Sequence, residues 1–338
     1  NNTRVAKMFR PCFSATQVAG VIGSHKYQSV SQVMYEVFKK DTTAAGIIAE
    51  IEKAHNRKAT AKFKGSFLKD RDIQRSVFSA LDDCKVADAA VAKEVDATKI
   101  LWAAEARSHE LDMRVAAGIE VSPAEKAEIA ETLVKATIAK KEAVEAVKAA
   151  PTVDAALDKV EEACKKVIDQ TPGLSPVMAA QLLSDARGEV NKKRGLNNED
   201  GILNTYESQR KVVVTERNTR MLRMDKGPFT LVGRTDGYVE AQKRVVDSKD
   251  RTTYWKTVPV YDEIQLRVYM HMLGAVDSEL VERFPNGTTR HTVFPNDPEK
   301  WAELEAKLLD ATGTMLAILG DASRLEDIVF ENTVPNGN

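Results

Sequence analysis

The texture of the chain changes once, near residue 190, and that change limits the folds open to it. From about residue 41 to 190, Ala, Glu and Lys crowd the sequence, whereas aromatic and β-branched residues gather after about residue 200. The first set favours helices and the second suits strands. The chain therefore reads as a helical block followed by an α/β unit. Its 338 residues match two domains or one elaborated domain.

Local signals sharpen this reading. Ser14 opens a short helix that Gly23 stops, and Ser31 starts a second one with Val33, Met34, Val37 and Phe38 on one face. Within the block, Ser122-Pro123-Ala124-Glu125 supplies a cap, a first-turn proline and a capping-box acid, so a helix runs from there to about Ala150. Thr152 and Asp154 open another, Thr171-Pro172-Gly173 turns the chain, and Ser175-Pro176 starts the next. Three or more antiparallel helices joined by short turns make a bundle or a long hairpin. Beyond it, Gly195 to Gln209 reads as a helix and Lys211 to Glu216 as a strand. Phe229 to Asp236 and Arg244 to Lys249 read as two more strands, and Glu263 to Leu273 as a helix. Pro285-Asn286-Gly287 marks a hairpin, and Asp297-Pro298 caps a final helix.

Composition narrows the function. Three cysteines lie far apart and five histidines are scattered without HxH or HExxH spacing. A disulfide framework and a zinc site are both disfavoured, and any metal chemistry rests on carboxylates and a hard cation. No apolar run approaches the ~18 residues of a membrane span. The opening Asn1–Arg10, with Arg4, Lys7 and Arg10, shows no secretory signal, so the protein is expected not to be secreted. Against a net charge of −1 overall, residues 191–270 hold 16 Lys and Arg and 11 Asp and Glu, which predicts a local basic surface.

The chemistry-bearing residues sit in that basic stretch. Asp236 ends an apolar strand, and Val245-Val246-Asp247-Ser248-Lys249 puts Asp247 and Lys249 on one strand face. Two carboxylates at neighbouring strand ends can share Mg²⁺, and an adjacent lysine can orient a water or offset phosphate charge. An isolated Asp…Asp-x-Lys is ordinary turn and edge-strand sequence; the flanking residues single this one out. Upstream stand Lys193-Arg194-Gly195, Glu199 and Tyr206-Glu207, and downstream Gln265 and Tyr269 lie four apart on one helical face.

The order RGxxxE…YE, GxxDG, DxK, QxxxY resembles the PD-(D/E)xK nuclease superfamily, and more narrowly the phage-lambda-type alkaline exonucleases, the YqaJ-like viral recombinases. Residues about 10–40 and 190–320 carry the resemblance, including Ser14-Ala-Thr16-Gln17 and Gly23-Ser-His-Lys-Tyr27; the helical block does not. It implies a restriction-endonuclease-like α/β core, a mixed central sheet flanked by helices, with a large inserted α-helical region. The expected divisions are 1–40 and 191–330 for the core, 41–190 for the insertion and 331–338 for a tail.

By the same resemblance Glu199, Asp236 and Asp247 are metal ligands with the Ser248 carbonyl, and Lys249 assists the attacking water. Gln265 and Tyr269 hold the DNA strand or order the lysine and metal. Ser14 and Thr16 lie near a terminal phosphate, with Arg10 out of register for the family's arginine; Glu207 or Glu216 is the substitute should Glu199 be misplaced. Arg194, Arg217, Arg220 and Arg251 are candidate DNA contacts; the middle two lie in a basic ribbon with Arg223 and Lys226 that either follows a phosphate backbone or is a solvated hairpin face. Tyr254 and Trp255 either stack on an unpaired base or anchor their loop, and His271 is a packing histidine.

The implied activity is Mg²⁺-dependent hydrolysis of double-stranded DNA from its ends, 5′→3′, with Mn²⁺ as a substitute, in phage or viral recombination and repair. The implied partners are DNA ends, a single-strand annealing protein and further copies in a trimer, with no membrane. The implied location is the cytoplasm of a bacterial host, or the nucleus or cytoplasm of a eukaryotic one. The alternatives are a structure-specific endonuclease or RecB-like module and, in another class, a non-catalytic DNA-binding or assembly protein working through its helices.

Overall fold

The computed structural model describes residues 9–335 except 172, 173 and 175. Arg4 and Lys7, the Pro172-Gly173 turn, the Ser175 cap and the last three residues of the expected tail lie outside them.

The helical block begins with α3 (Thr42–Ala54), a two-residue gap, β2 (Arg57–Ala59) and α4 (Thr60–Phe67). It continues as α5 (Arg71–Ala116), α6 (Pro123–Ala149), α7 (Val153–Asp169) and α8 (Pro176–Arg210). Near the body of the molecule α5, α7 and α8 form a bundle around Ile73, Val77, Leu81, Cys84, Leu157, Val160, Cys164, Leu182 and Val190. Farther out α5 pairs with α6, on a thin seam of Ala97, Ala104, Leu111, Ala136 and Ala143. Polar links support it: Lys140 reaches Glu94 and Thr98, both at 2.6 Å. The Ser122 hydroxyl caps α6 through the Glu125 N–H, but the Glu125 carboxylate turns to Arg114 at 2.6 Å. At ~1.5 Å per residue α5 is about 69 Å long.

The compositional change at residue 190 falls inside α8, which passes without a break from the bundle onto the sheet. Gly195 does not interrupt it; a glycine inside a helix costs only ~1 kcal/mol when neighbouring turns are packed.

The α/β unit holds two mixed sheets. In one, β4 (Thr230–Arg234) lies between β1 (Cys12–Ser14), which is parallel to it, and β3 (Met221–Asp225), which is antiparallel. The other has the order β5 (Gly237–Val239), β6 (Arg244–Asp250), β7 (Asp277–Arg283), β8 (Thr289–Pro295). Its central pair β6–β7 is parallel, joined through α9 (Val260–Leu273), and its outer pairs are antiparallel. α8 covers one face, packing Ile202, Leu203 and Tyr206 on Val246 and Val281. α9 covers the other, packing Leu266 and Met270 on Val245 and Leu280 in the main core. That core also takes in α1 (Ala15–Val21), α2 (Val30–Lys40), α10 (Pro298–Gly320) and α11 (Ala322–Asn332).

Two expectations are corrected here. Lys211–Glu216 is not a strand: Lys211, Glu216 and Asn218 have φ of 54°, 55° and 50°, and only Thr215 bridges to Tyr238. The Glu207 carboxylate takes the Val214 N–H at 2.6 Å, which removes that donor from any ladder. The helix capped by Asp297 is not the last. Asp321 caps α11, and β9 (Thr333–Pro335) then pairs antiparallel with β2. No helix among the described residues is long and apolar enough to cross a membrane.

Candidate active site

Strand alternation builds the site on β6. Val245, Asp247 and Lys249 face α9 while Val246 and Ser248 face α8. β5 pairs with β6 only as far as Val246, so the β5-side edge of β6 lies open at Ser248. Asp236, at the turn into β5, fills this edge: its Oδ2 accepts from the Ser248 N–H at 2.8 Å and from the Ser248 hydroxyl at 3.2 Å. The N–H and C=O of a strand residue leave on the same side, so the Ser248 carbonyl faces that edge too.

Asp247 is buried and binds the Lys249 amine at 2.5 Å. Its other oxygen accepts from Gln265 Nε2 at 3.3 Å. Tyr269, one turn on, donates to the Arg234 carbonyl at 2.8 Å and lies 3.5 Å from Gln265 Nε2. Its ring crosses β4 at Gly233, where a Cβ would meet Tyr269 Cε1 at 2.6 Å. Glycine is needed there for close approach. Glu199 comes from α8, its Oε1 held by Asn218 Nδ2.

The electrostatics tie these groups together. Burial first, and then the neighbouring Asp236 charge, push the Asp247 carboxyl up to about 7 against the pull of Lys249. Burial raises Asp236 as well, with Lys249 opposing and Glu199 adding to the rise. Glu199 is raised by burial; its Asn218 hydrogen bond opposes this and the Asp247 charge reinforces it. Burial disfavours the Lys249 cation, but Asp247, Asp236 and Asp262 outweigh it and hold the amine above the ordinary lysine range. Lys249 is thus a fixed cation, suited to orienting a water or meeting a phosphate rather than accepting a proton.

Among the described residues no three His, Cys, Asp or Glu side chains converge into a ready-made metal-binding group. The donor chemistry nonetheless fits a hard divalent cation: two buried carboxylates with raised pKa values, Asp247 partly through the charge of Asp236, a third within electrostatic reach, and a backbone carbonyl on the strand edge.

The other expected residues fall elsewhere. Arg194 is only 4% exposed and gives Asp88 two hydrogen bonds (3.0 and 2.7 Å) and Asp250 an ion pair at 3.2 Å. It ties α8 to α5 and β6, so the expectation of a DNA contact is corrected to a structural cation. Arg251 is likewise taken up by Asp262 (2.6 Å) and Glu282 (2.8 Å). Arg217 binds Glu207 at 2.9 Å, and the more exposed Arg220 pairs with Glu216 at 3.0 Å. These pairs leave Glu199, not Glu207 or Glu216, within electrostatic reach of the aspartates. The Ser14 and Thr16 hydroxyls bond one another at 3.0 Å at the start of α1, and Arg10 pairs with Asp225. His271 stacks on Trp301 with ring centres 3.7 Å apart.

Sequence reasoning missed Asn218 and Asp262. Asn218 sits in an irregular loop at positive φ, which asparagine tolerates but which nothing nearby announces. Asp262, in the first turn of α9, looks like ordinary helix-start acid.

The fold and site together describe a mixed α/β chain with a lysine-bearing acidic strand edge. No family model matches it, and no curated protein does. Among solved structures it is similar to an alkaline exonuclease (LHK-Exo) from Laribacter hongkongensis, at 14% identity and a TM-score of 0.34 over 49% of this chain and 82% of that one. The same exonuclease in complex with dAMP aligns at 14% identity and a TM-score of 0.33, over 50% and 83%. A phage related exonuclease from Haemophilus somnus 129PT aligns at 13% and 0.29, over 53% and 84%.

Proposed function

We propose that this chain is a divalent-metal-dependent nuclease that hydrolyses DNA phosphodiester bonds. The observation that carries the reading is the buried Asp247, paired with Lys249, held by Gln265 and placed beside the Ser248-anchored Asp236. Asp236, Asp247, the Ser248 carbonyl and Glu199 are the groups that would hold Mg²⁺. When bound there, the ion supplies Lewis acidity at the scissile phosphate and lowers the pKa of a nearby water. The chain's own residues do the rest. Lys249 orients the water and offsets developing phosphate charge, Gln265 fixes the Asp247 rotamer, and Tyr269 locks Gln265 against β4. The motif order shared with alkaline exonucleases supports directing this chemistry to double-stranded ends.

The test uses linear and closed circular duplexes with Mg²⁺, Mn²⁺ or EDTA. Loss of the linear substrate with either metal, an intact circle, and no reaction in EDTA are expected. Asp247→Asn and Lys249→Ala should each abolish cutting while the chain stays folded by circular dichroism. Undiminished cutting by either variant would refute the assignment, and nicking of the circle would favour an endonuclease.

A further inference from the structure

Four of the chain's seven tyrosines and three tryptophans lie in two short stretches beside this site. One stretch links α1 to α2 and carries His25, Lys26 and Tyr27. The other leads from β6 into α9 and carries Arg251, Tyr254, Trp255, Lys256 and Tyr261. They meet at Tyr261. The His25 ring lies 4.5 Å from the Tyr261 ring at 30°, and the Tyr27 ring stands 6.4 Å from Tyr261 at 65°. The Lys26 amine is 5.4 Å from the Tyr27 ring and 6.0 Å from the Trp255 ring, and the Arg251 guanidinium is 5.5 Å from Trp255.

This group is neither core nor remote. Tyr27 is 63% exposed and His25, Trp255 and Tyr261 are half-buried, while Tyr254 packs on Phe284 with ring centres 4.7 Å apart. Asp262, next to Tyr261, binds Arg251 at 2.6 Å, and Arg251, which lies against Trp255, follows Lys249 by two residues at the end of β6. An exposed ring beside half-buried ones, interleaved with cations, matches one ligand chemistry: an unpaired nucleobase stacks on the rings while its phosphate meets the ammonium groups. A paired base inside a duplex offers no free face.

We propose that His25, Tyr27, Trp255 and Tyr261 form a stacking platform for an unpaired DNA base next to the cutting site, so that the protein prefers ends with a single-stranded extension. The inference rests on the nuclease reading for its substrate and adds to it the state of the end that is held.

The experiment measures, by fluorescence anisotropy in EDTA, binding of the full chain to a labelled duplex carrying a short single-stranded extension. An otherwise identical duplex whose extension is abasic is the comparison. The base-bearing extension should bind about tenfold tighter, the factor matching ~1.4 kcal/mol within the usual range for one stacked base. Tyr27→Ala should remove most of that preference, and Tyr27→Phe, which keeps the ring, should retain it. Equal affinity of the wild type for the two duplexes, or an undiminished preference in Tyr27→Ala, would overturn the platform. Hydrolysis of the linear duplex with Mg²⁺ separates the two readings. Cutting without base preference overturns the platform alone; base preference without cutting upholds the platform and overturns the nuclease.

Discussion

Arg194→Ala distinguishes a structural cation from a phosphate contact. The side chain is 4% exposed, and its partners Asp88 and Asp250 are 17% and 0% exposed. Truncation would strip a buried cation from two carboxylates, and breaking a buried pair typically costs ~3–5 kcal/mol. Both acids keep other partners. Asp250 retains Arg283 at 3.0 Å and Asn198 at 2.8 Å, and Asp88 retains Asn198 at 2.8 Å. The expected loss is therefore at the low end, about 3 kcal/mol, a fall in Tm of roughly 6 to 12 °C at the usual conversion for larger domains. Arg194→Lys keeps the charge but not the two-pronged geometry and should fall between. Stability is read from urea denaturation followed by circular dichroism, and DNA affinity from anisotropy across a salt series. The slope of log K against log salt should not change, because no phosphate contact is lost. Unaltered stability together with a slope reduced by about 0.9, the signature of one lost phosphate contact, would refute the structural assignment.

Acid should unfold the sheet through Glu279. This carboxylate is fully buried; burial raises its pKa, but hydrogen bonds from His291, Tyr206 and Arg210 overcome that and hold it at about 2. Because the folded value lies below the ordinary 4.5, the stabilisation is fully present above about pH 4.5 and is lost as pH falls towards 2. Glu279→Gln should weaken the fold near neutrality and flatten the acid limb of a stability-versus-pH curve; a limb as steep as the wild type's would rule the carboxylate out as its source. Gly233→Ala should push the Tyr269 ring off β4, costing ~1–3 kcal/mol by overpacking. It should also lower the rate of cutting, since Tyr269 secures Gln265 and through it Asp247; wild-type stability and rate would show that the contact is not tight.

Where a signal is local, the sequence is readable. Ser122-Pro123 starts a helix because the cap and the proline act within one turn, and Pro285-Asn286-Gly287 makes its hairpin with Gly287 at φ 75°. The alternation in Val245–Lys249 likewise places Asp247 and Lys249 on one face before any partner is known. The strands β1, β3 and β5 were not readable, because three to five residues carry too little pattern and their pairing is set by distant neighbours. The irregular 211–219 stretch was not either, since a carboxylate seven residues upstream claims its Val214 N–H.

The surplus of five positive charges in 191–270 is the most instructive case. It predicted a basic surface, yet Arg194, Arg244 and Arg251 are drawn inward by Asp88, Asp250, Asp277, Glu279, Asp262 and Glu282. Counting charges along a sequence cannot distinguish a cation facing water from one spent on an acid brought in from dozens of residues away. Once the paired arginines are set aside, cations of this stretch that remain exposed include Arg223, Lys243 and Lys256. Lys26, from outside the stretch, adds an exposed cation against the Tyr27 and Trp255 rings. On the proposed nuclease reading, the exposed cations open to a phosphate backbone therefore include both Lys26 at the rings and Arg223 of the ribbon.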